Sequence, residues 1–207
     1  MQTSHEDVFV TVQTLSERIS RALDVRNRRF TLERVDAPHV ASTRLTWPPA
    51  PAAIRLSRDC TRPSILGHEL THGLVPTRWV FFAEGFATWM GCEIAGDCSD
   101  FFFAEADVDE VIVQAHARGR YTSLQRFIAE TTQHREFFAP EGLHRFHVRF
   151  AHLCAASFLR WFHRSHPGLP ALVGAEGCEA PIAELTRLAG TDVATLEARW
   201  LASVGAR

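Results

Sequence analysis

The stretch His68-Glu69-Leu70-Thr71-His72, HELTH, decides how this chain is read. Residues four apart on an α-helix lie above one another on one face, so His68 and His72 can direct two imidazoles at one metal ion. Glu69 stands beside the first of them, at the rim of the same site. A carboxylate there can take a proton from water activated by a zinc ion.

The flanks fit a helix. Thr61 is a candidate N-cap, Pro63 falls in the first turn where its missing N–H costs little, and Gly73 is a candidate C-terminal stop. Ile65, Leu66 and Leu70 supply an apolar side. A catalytic zinc takes three protein ligands and keeps one position open, so a third ligand is expected downstream. Residues 76–91, PTRWVFFAEGFATWMG, read as a second helix carrying Glu84, and Glu93 begins an ExxxD pattern with Asp97. At about 100° per residue, Glu84 and Glu93 face opposite sides of one helix, so only one reaches the metal. The face of Glu84 carries Ala87, Thr88 and Gly91, small enough for close approach to the HELTH helix, while Phe86, Trp89 and Met90 read as core. That favours Glu84, with Glu93, Asp97 and Asp100 as the alternatives. A metzincin pattern is excluded, because positions 75 and 78 hold Val75 and Arg78 instead of Gly and His.

With these residues in view, the chain resembles the gluzincin metallopeptidases, in particular the bacterial peptidase MA-like group. Such proteins read as a HELxH helix, a short stretch with a Trp, and an EGxA helix, here HELTHGLVPTRWVFFAEGFATW. GRYTSLQRF at 119–127, HLCAASFLRWFHRSHPG at 152–168 and TDVATLEARWLASV at 191–204 resemble the segments that follow, so the similarity spans roughly residues 50 to 204. The resemblance implies a zincin-like α+β fold, zinc on His68, His72 and Glu84, and Glu69 as general base for peptide-bond hydrolysis. It also implies an edge strand that binds substrate, for which residues 40–56 are candidates beside an ordinary packing role. One position departs from the pattern. Where relatives place a Tyr at the start of the late helix, this chain has His152, and its one tyrosine is Tyr121. A histidine can donate the same hydrogen bond to an oxyanion, so His152 is the expected donor, with His147 or His144 as alternatives.

The whole chain sets wider limits. Its 207 residues, 46% hydrophobic, suffice to bury a core. A single domain over 1–207 is expected: an N-terminal α/β portion (1–60), the metal-binding helices (61–95) and a helical portion (96–207). A net charge of −2 favours neither nucleic acid nor an anionic membrane, and no apolar run is long enough for a membrane span. The start, MQTSHEDVFV, lacks a secretory pattern, so a cytoplasmic location is expected. Cys60, Cys92, Cys98, Cys154 and Cys178 read as small buried hydrophobes, with Cys92 and Cys98 near enough in sequence to bridge.

Periodicity predicts a helix from Val8 to Val25, strands at 30–35, 40–47 and 53–56, and helices near 104–118, 122–132, 144–165, 181–189 and 192–203. Phe101-Phe102-Phe103 reads as core. His144, His147, His163 and His166 read as surface, without the spacing of a second metal site. The expected protein is a zinc metallopeptidase acting on a peptide or protein substrate. The alternative is a zinc-stabilised binding or regulatory module of the same fold that no longer turns over. Retention of Glu69 argues against it, since a structural site needs ligands but no base.

Overall fold

The computed structural model describes residues 5–44, 52–58, 60, 62–77, 79–96, 107–118, 123–125, 128, 145–174 and 181–205. The first helix, α1 (His5–Ala22), buries Val12, Leu15 and Ile19 at helical spacing, with Leu23 just beyond its end, and packs on the HELTH helix. It stops short of the predicted Val25 because Asp24 adopts a left-handed φ of 51°, and the Val25 N–H closes back on Ser20 O.

Three strands follow: β1 (Phe30–Arg34), β2 (Ala41–Arg44) and β3 (Ala52–Leu56). The last in sequence is central in space. It pairs in parallel with β1 and antiparallel with β2, leaving β2 as an edge. The AAIRL run of β3 is apolar almost throughout, as suits a strand flanked on both sides. The predicted second strand covers 40–47; β2 is described over Ala41–Arg44, and residues 45–51 lie outside the described residues.

Helix α2 (Pro63–Leu74) carries HELTH. Pro63 occupies its first turn as predicted, whereas the N-cap is Arg62, with no side-chain cap, and Thr61 is outside the described residues. Gly73 is not the stop. The helix continues to Leu74, and Gly73 is buried where a side chain would collide with the Phe30 ring of β1 and approach Ala52 of β3 to 3.2 Å. This glycine lets the helix lie on the sheet.

Helix α3 (Val80–Ala95) starts at Trp79 and ends at Gly96, whose φ of 83° supplies the left-handed cap. It thus begins and ends later than the predicted 76–91. Pro76, Thr77 and Trp79 precede it outside the helix, and Thr77 Oγ1 accepts from Trp79 N. Helix α3 packs between α2 and the long helix α5 (Arg145–His163). Helices α4 (Val108–Ala117), α6 (Leu169–Val173), α7 (Pro181–Ala189) and α8 (Val193–Val204) complete the described elements. The short α6 is not predicted from periodicity. Of the expected helix at 122–132, only residues 123–125 and 128 are described, and Phe101, Phe102 and Phe103 lie outside the described residues.

Buried side chains from Val12 through Phe86 and Phe158 to Trp200 form one contiguous core. Trp200 Nε1 donates to Ser157 Oγ at 3.0 Å, and Ser157 donates to Asp109 Oδ1 at 2.5 Å, tying α8, α5 and α4 together. The architecture is α+β, predominantly helical with a small three-stranded sheet. Among the described residues, no helix is long and apolar enough to cross a membrane.

Candidate metal centre

The site lies where α2, α3 and α5 meet beside the edge strand β2. On α2, the four-residue spacing brings His68 Nε2 and His72 Nε2 to 3.2 Å of each other. Glu84 faces them from the second turn of α3, with Oε2 3.4 Å from His68 Nε2 and Oε1 3.7 Å from His72 Nε2. The potential ligand atoms of His68, His72 and Glu84 all fall within 4.8 Å of one another, and among the described residues this is the one His/Cys/Asp/Glu group able to hold a metal ion. Their side chains are 14%, 14% and 23% exposed, so the group is walled yet reachable by water.

The predicted choice between two glutamates follows the helix faces. Glu84 reaches the histidines. Glu93 lies exposed on α3 outside the group, and its main-chain carbonyl accepts from Arg18 Nη2 at 3.3 Å. Asp97 and Asp100 are outside the described residues. Ala87 and Thr88 are buried on α3, and the Ala87 backbone lies near enough to act on the His68 ring, so the small-residue face does bring the two helices together.

Electrostatics within the group are tightly coupled. Burial would raise the Glu84 carboxyl, but the charge of His72 and hydrogen bonds from His152 and His68 hold it well below the usual carboxylate range. Burial lowers the imidazole of His72, and the opposing charge of Glu84 does not offset it. His68 shifts the other way. Burial lowers it, yet the hydrogen bond and charge of Glu84, with the charge of Glu69, leave it raised. The arrangement therefore keeps an ionised carboxylate against two imidazoles, a donor set suited to a divalent cation.

Two further residues complete the surroundings. His152, buried on α5, places Nε2 3.2 Å from Glu84 Oε2. Thus the predicted late-helix histidine does reach the site. Of the alternatives, His144 lies outside the described residues, as does Tyr121, and only the helical backbone of His147 is described. Glu69, 7% exposed, stays out of the three-residue group. Its Oε2 and its main-chain oxygen each lie 2.7 Å from the hydroxyl of Thr43 on β2. Sequence reading did not single out Thr43. The signal available was its place in the second predicted strand, 40–47, which marks a strand and not a contact.

Cys60 and Cys154 are buried free thiols, as predicted for small hydrophobes. Cys92 is disulfide-bonded, and Cys98 and Cys178 lie outside the described residues. Comparison of the chain with protein-family models, with curated proteins and with solved structures finds no match.

Proposed function

We propose that this chain is a zinc-dependent metallopeptidase with a gluzincin-like site on a zincin-like fold, hydrolysing a peptide bond. The observation that carries this reading is the separation of roles. His68, His72 and Glu84 converge within 4.8 Å, while the Glu69 carboxylate is held apart from them by Thr43. Two imidazoles and one carboxylate match the three-ligand, open type of zinc site, whereas a structural site more often closes with a fourth ligand, commonly a cysteine. Among the described residues no cysteine joins the group, and His152 stands beside Glu84 outside the three-residue set.

A zinc ion held there would supply Lewis acidity, bringing water from a pKa of about 16 towards about 7 and polarising the scissile carbonyl. The protein's own groups do the rest. The Glu69 carboxylate accepts a proton from the attacking water and delivers it to the departing amine. His152 Nε2 lies against Glu84 Oε2, and a turn of its ring away from that carboxylate would free an N–H for negative charge developing on the carbonyl oxygen. His152 also orients Glu84, as outer partners of metal-binding carboxylates do. The outer edge of β2, unpaired among the described residues and next to Glu69, suits an extended peptide added as a further strand.

The test is digestion of a proteome-derived peptide library, read by mass spectrometry. Cleavage by the purified protein is expected, lost after chelation and restored by zinc. A library left uncut by the zinc-loaded protein would instead favour a binding or regulatory role for the same site.

A further inference from the structure

We propose that Thr43 is a positioning residue for the general base, fixing which carboxylate oxygen of Glu69 faces the reacting water. The inference rests on the peptidase reading above for its catalytic consequence, and on geometry alone for its structural one.

A threonine hydroxyl carries one proton to donate. Both acceptors within reach, Oε2 and the main-chain oxygen at 2.7 Å each, belong to Glu69. A glutamate side chain has rotamer freedom to lose on being fixed, and a buried carboxylate needs hydrogen bonds to replace water. With Glu69 only 7% exposed, Thr43 meets both needs. The hydroxyl proton, shared between the main-chain oxygen and Oε2, turns Oε2 towards Thr43 and favours Oε1 as the oxygen that takes the proton from water and hands it to the amine.

Register adds a second link. Just beyond the β2–β3 ladder and in its register, Ser57 N donates to Val40 O at 2.8 Å and Val40 N to Ser57 Oγ at 3.0 Å, so Val40 and Ser57 stand at a hydrogen-bonded pair position. Antiparallel pairs alternate, which makes Ser42 and Arg55 the next such pair and turns the main-chain N–H and C=O of Thr43 away from β3, towards the open edge. One residue thus offers its backbone to the edge where an extended peptide would lie and its side chain to the base. The distance between that edge and Glu69 is set through Thr43.

The experiment compares zinc-loaded wild type with Thr43→Val, which keeps the β-branched shape and backbone, and Thr43→Ser, which keeps the hydroxyl. Rates are measured on a peptide recovered from the library digestion, zinc content is determined for each protein, and the zinc-loaded crystal structures are solved. Thr43→Val is expected to lose about 10- to 100-fold in kcat with KM within about twofold, and Thr43→Ser to recover most of that loss. Zinc content stays at the wild-type level, and the Glu69 carboxylate leaves its wild-type rotamer in Thr43→Val but not in Thr43→Ser. An unchanged kcat in Thr43→Val, an equal loss in Thr43→Ser, or a change confined to KM overturns the proposal. So does an unmoved Glu69 carboxylate in the Thr43→Val crystal, whatever the activity. A Glu69→Gln control as active as wild type contradicts the peptidase reading instead, and the crystallographic comparison still judges Thr43. Should Thr43→Val fail to fold, Thr43→Ala serves against Thr43→Ser.

Discussion

His152 Nε2 on α5 lies 3.2 Å from Glu84 Oε2 on α3, and the residue that permits this approach is the neighbouring Gly85. A Cβ at Gly85 would stand 2.9 Å from Ala155 Cβ, 3.1 Å from the Ala155 carbonyl carbon and 2.6 Å from Leu159 Cδ1. His152, Ala155 and Leu159 recur at helical spacing along one side of α5, so the face that receives Gly85 also delivers the histidine. The same pair of helices thus sets both the packing and the surroundings of Glu84.

Gly85→Ala should therefore cost stability even though alanine is the better helix former by about 1 kcal/mol. Ala155 backbone cannot swing aside, and overpacking of this kind costs about 1–3 kcal/mol, a fall in Tm of roughly 2–12 °C for a chain of this size. Gly67→Ala is the control. There the new methyl meets only the flexible end of Ile94, so the Tm should change little. Thermal unfolding of both variants measures the contrast; equal melting points would refute it.

The assignment of the third ligand separates two glutamates on one helix. Glu84→Ala should abolish stoichiometric zinc binding, whereas Glu93→Ala should bind zinc like wild type, since Glu93 stands outside the ligand group. Metal analysis after purification without chelator reads both.

Zinc affinity should fall as the pH is lowered, because the ligands must be deprotonated to bind. Glu84, held well below the usual carboxylate range, stays ionised throughout, and His72, lowered by burial, stays neutral at neutral pH. His68 is raised, by Glu84 acting against burial, so it is the first ligand to take up a proton. The sign is fixed: affinity is full above the His68 transition and declines as pH falls through it, at a higher pH than an unperturbed imidazole would give. Zinc titrations between about pH 8 and 5 would show this, and an affinity flat across that window would contradict it.

Much of the metal group was legible in the chain, because it depends on local geometry. His68 and His72 share one helical turn, and the facing of Glu84 against Glu93 follows from helical rotation within α3. The boundaries of α7 matched the periodic pattern of 181–189 for the same reason. What escaped depends on contacts between distant segments. Gly73 after a histidine looks like a helix stop, but its role is to seat Phe30 from more than forty residues upstream. Thr43 lies 26 residues before Glu69, and only the placing of β2 at the sheet edge brings the two together. Alternation predicts a strand there, while the order of strands within the sheet carries no periodic signature.

The central claim is that Glu69 is the base and not a ligand. Its most direct test is the turnover of zinc-loaded Glu69→Ala on the peptide library, measured beside wild type with zinc content determined for both. The account predicts full zinc occupancy with cleavage reduced by at least about 100-fold. Cleavage at the wild-type rate by Glu69→Ala would contradict it.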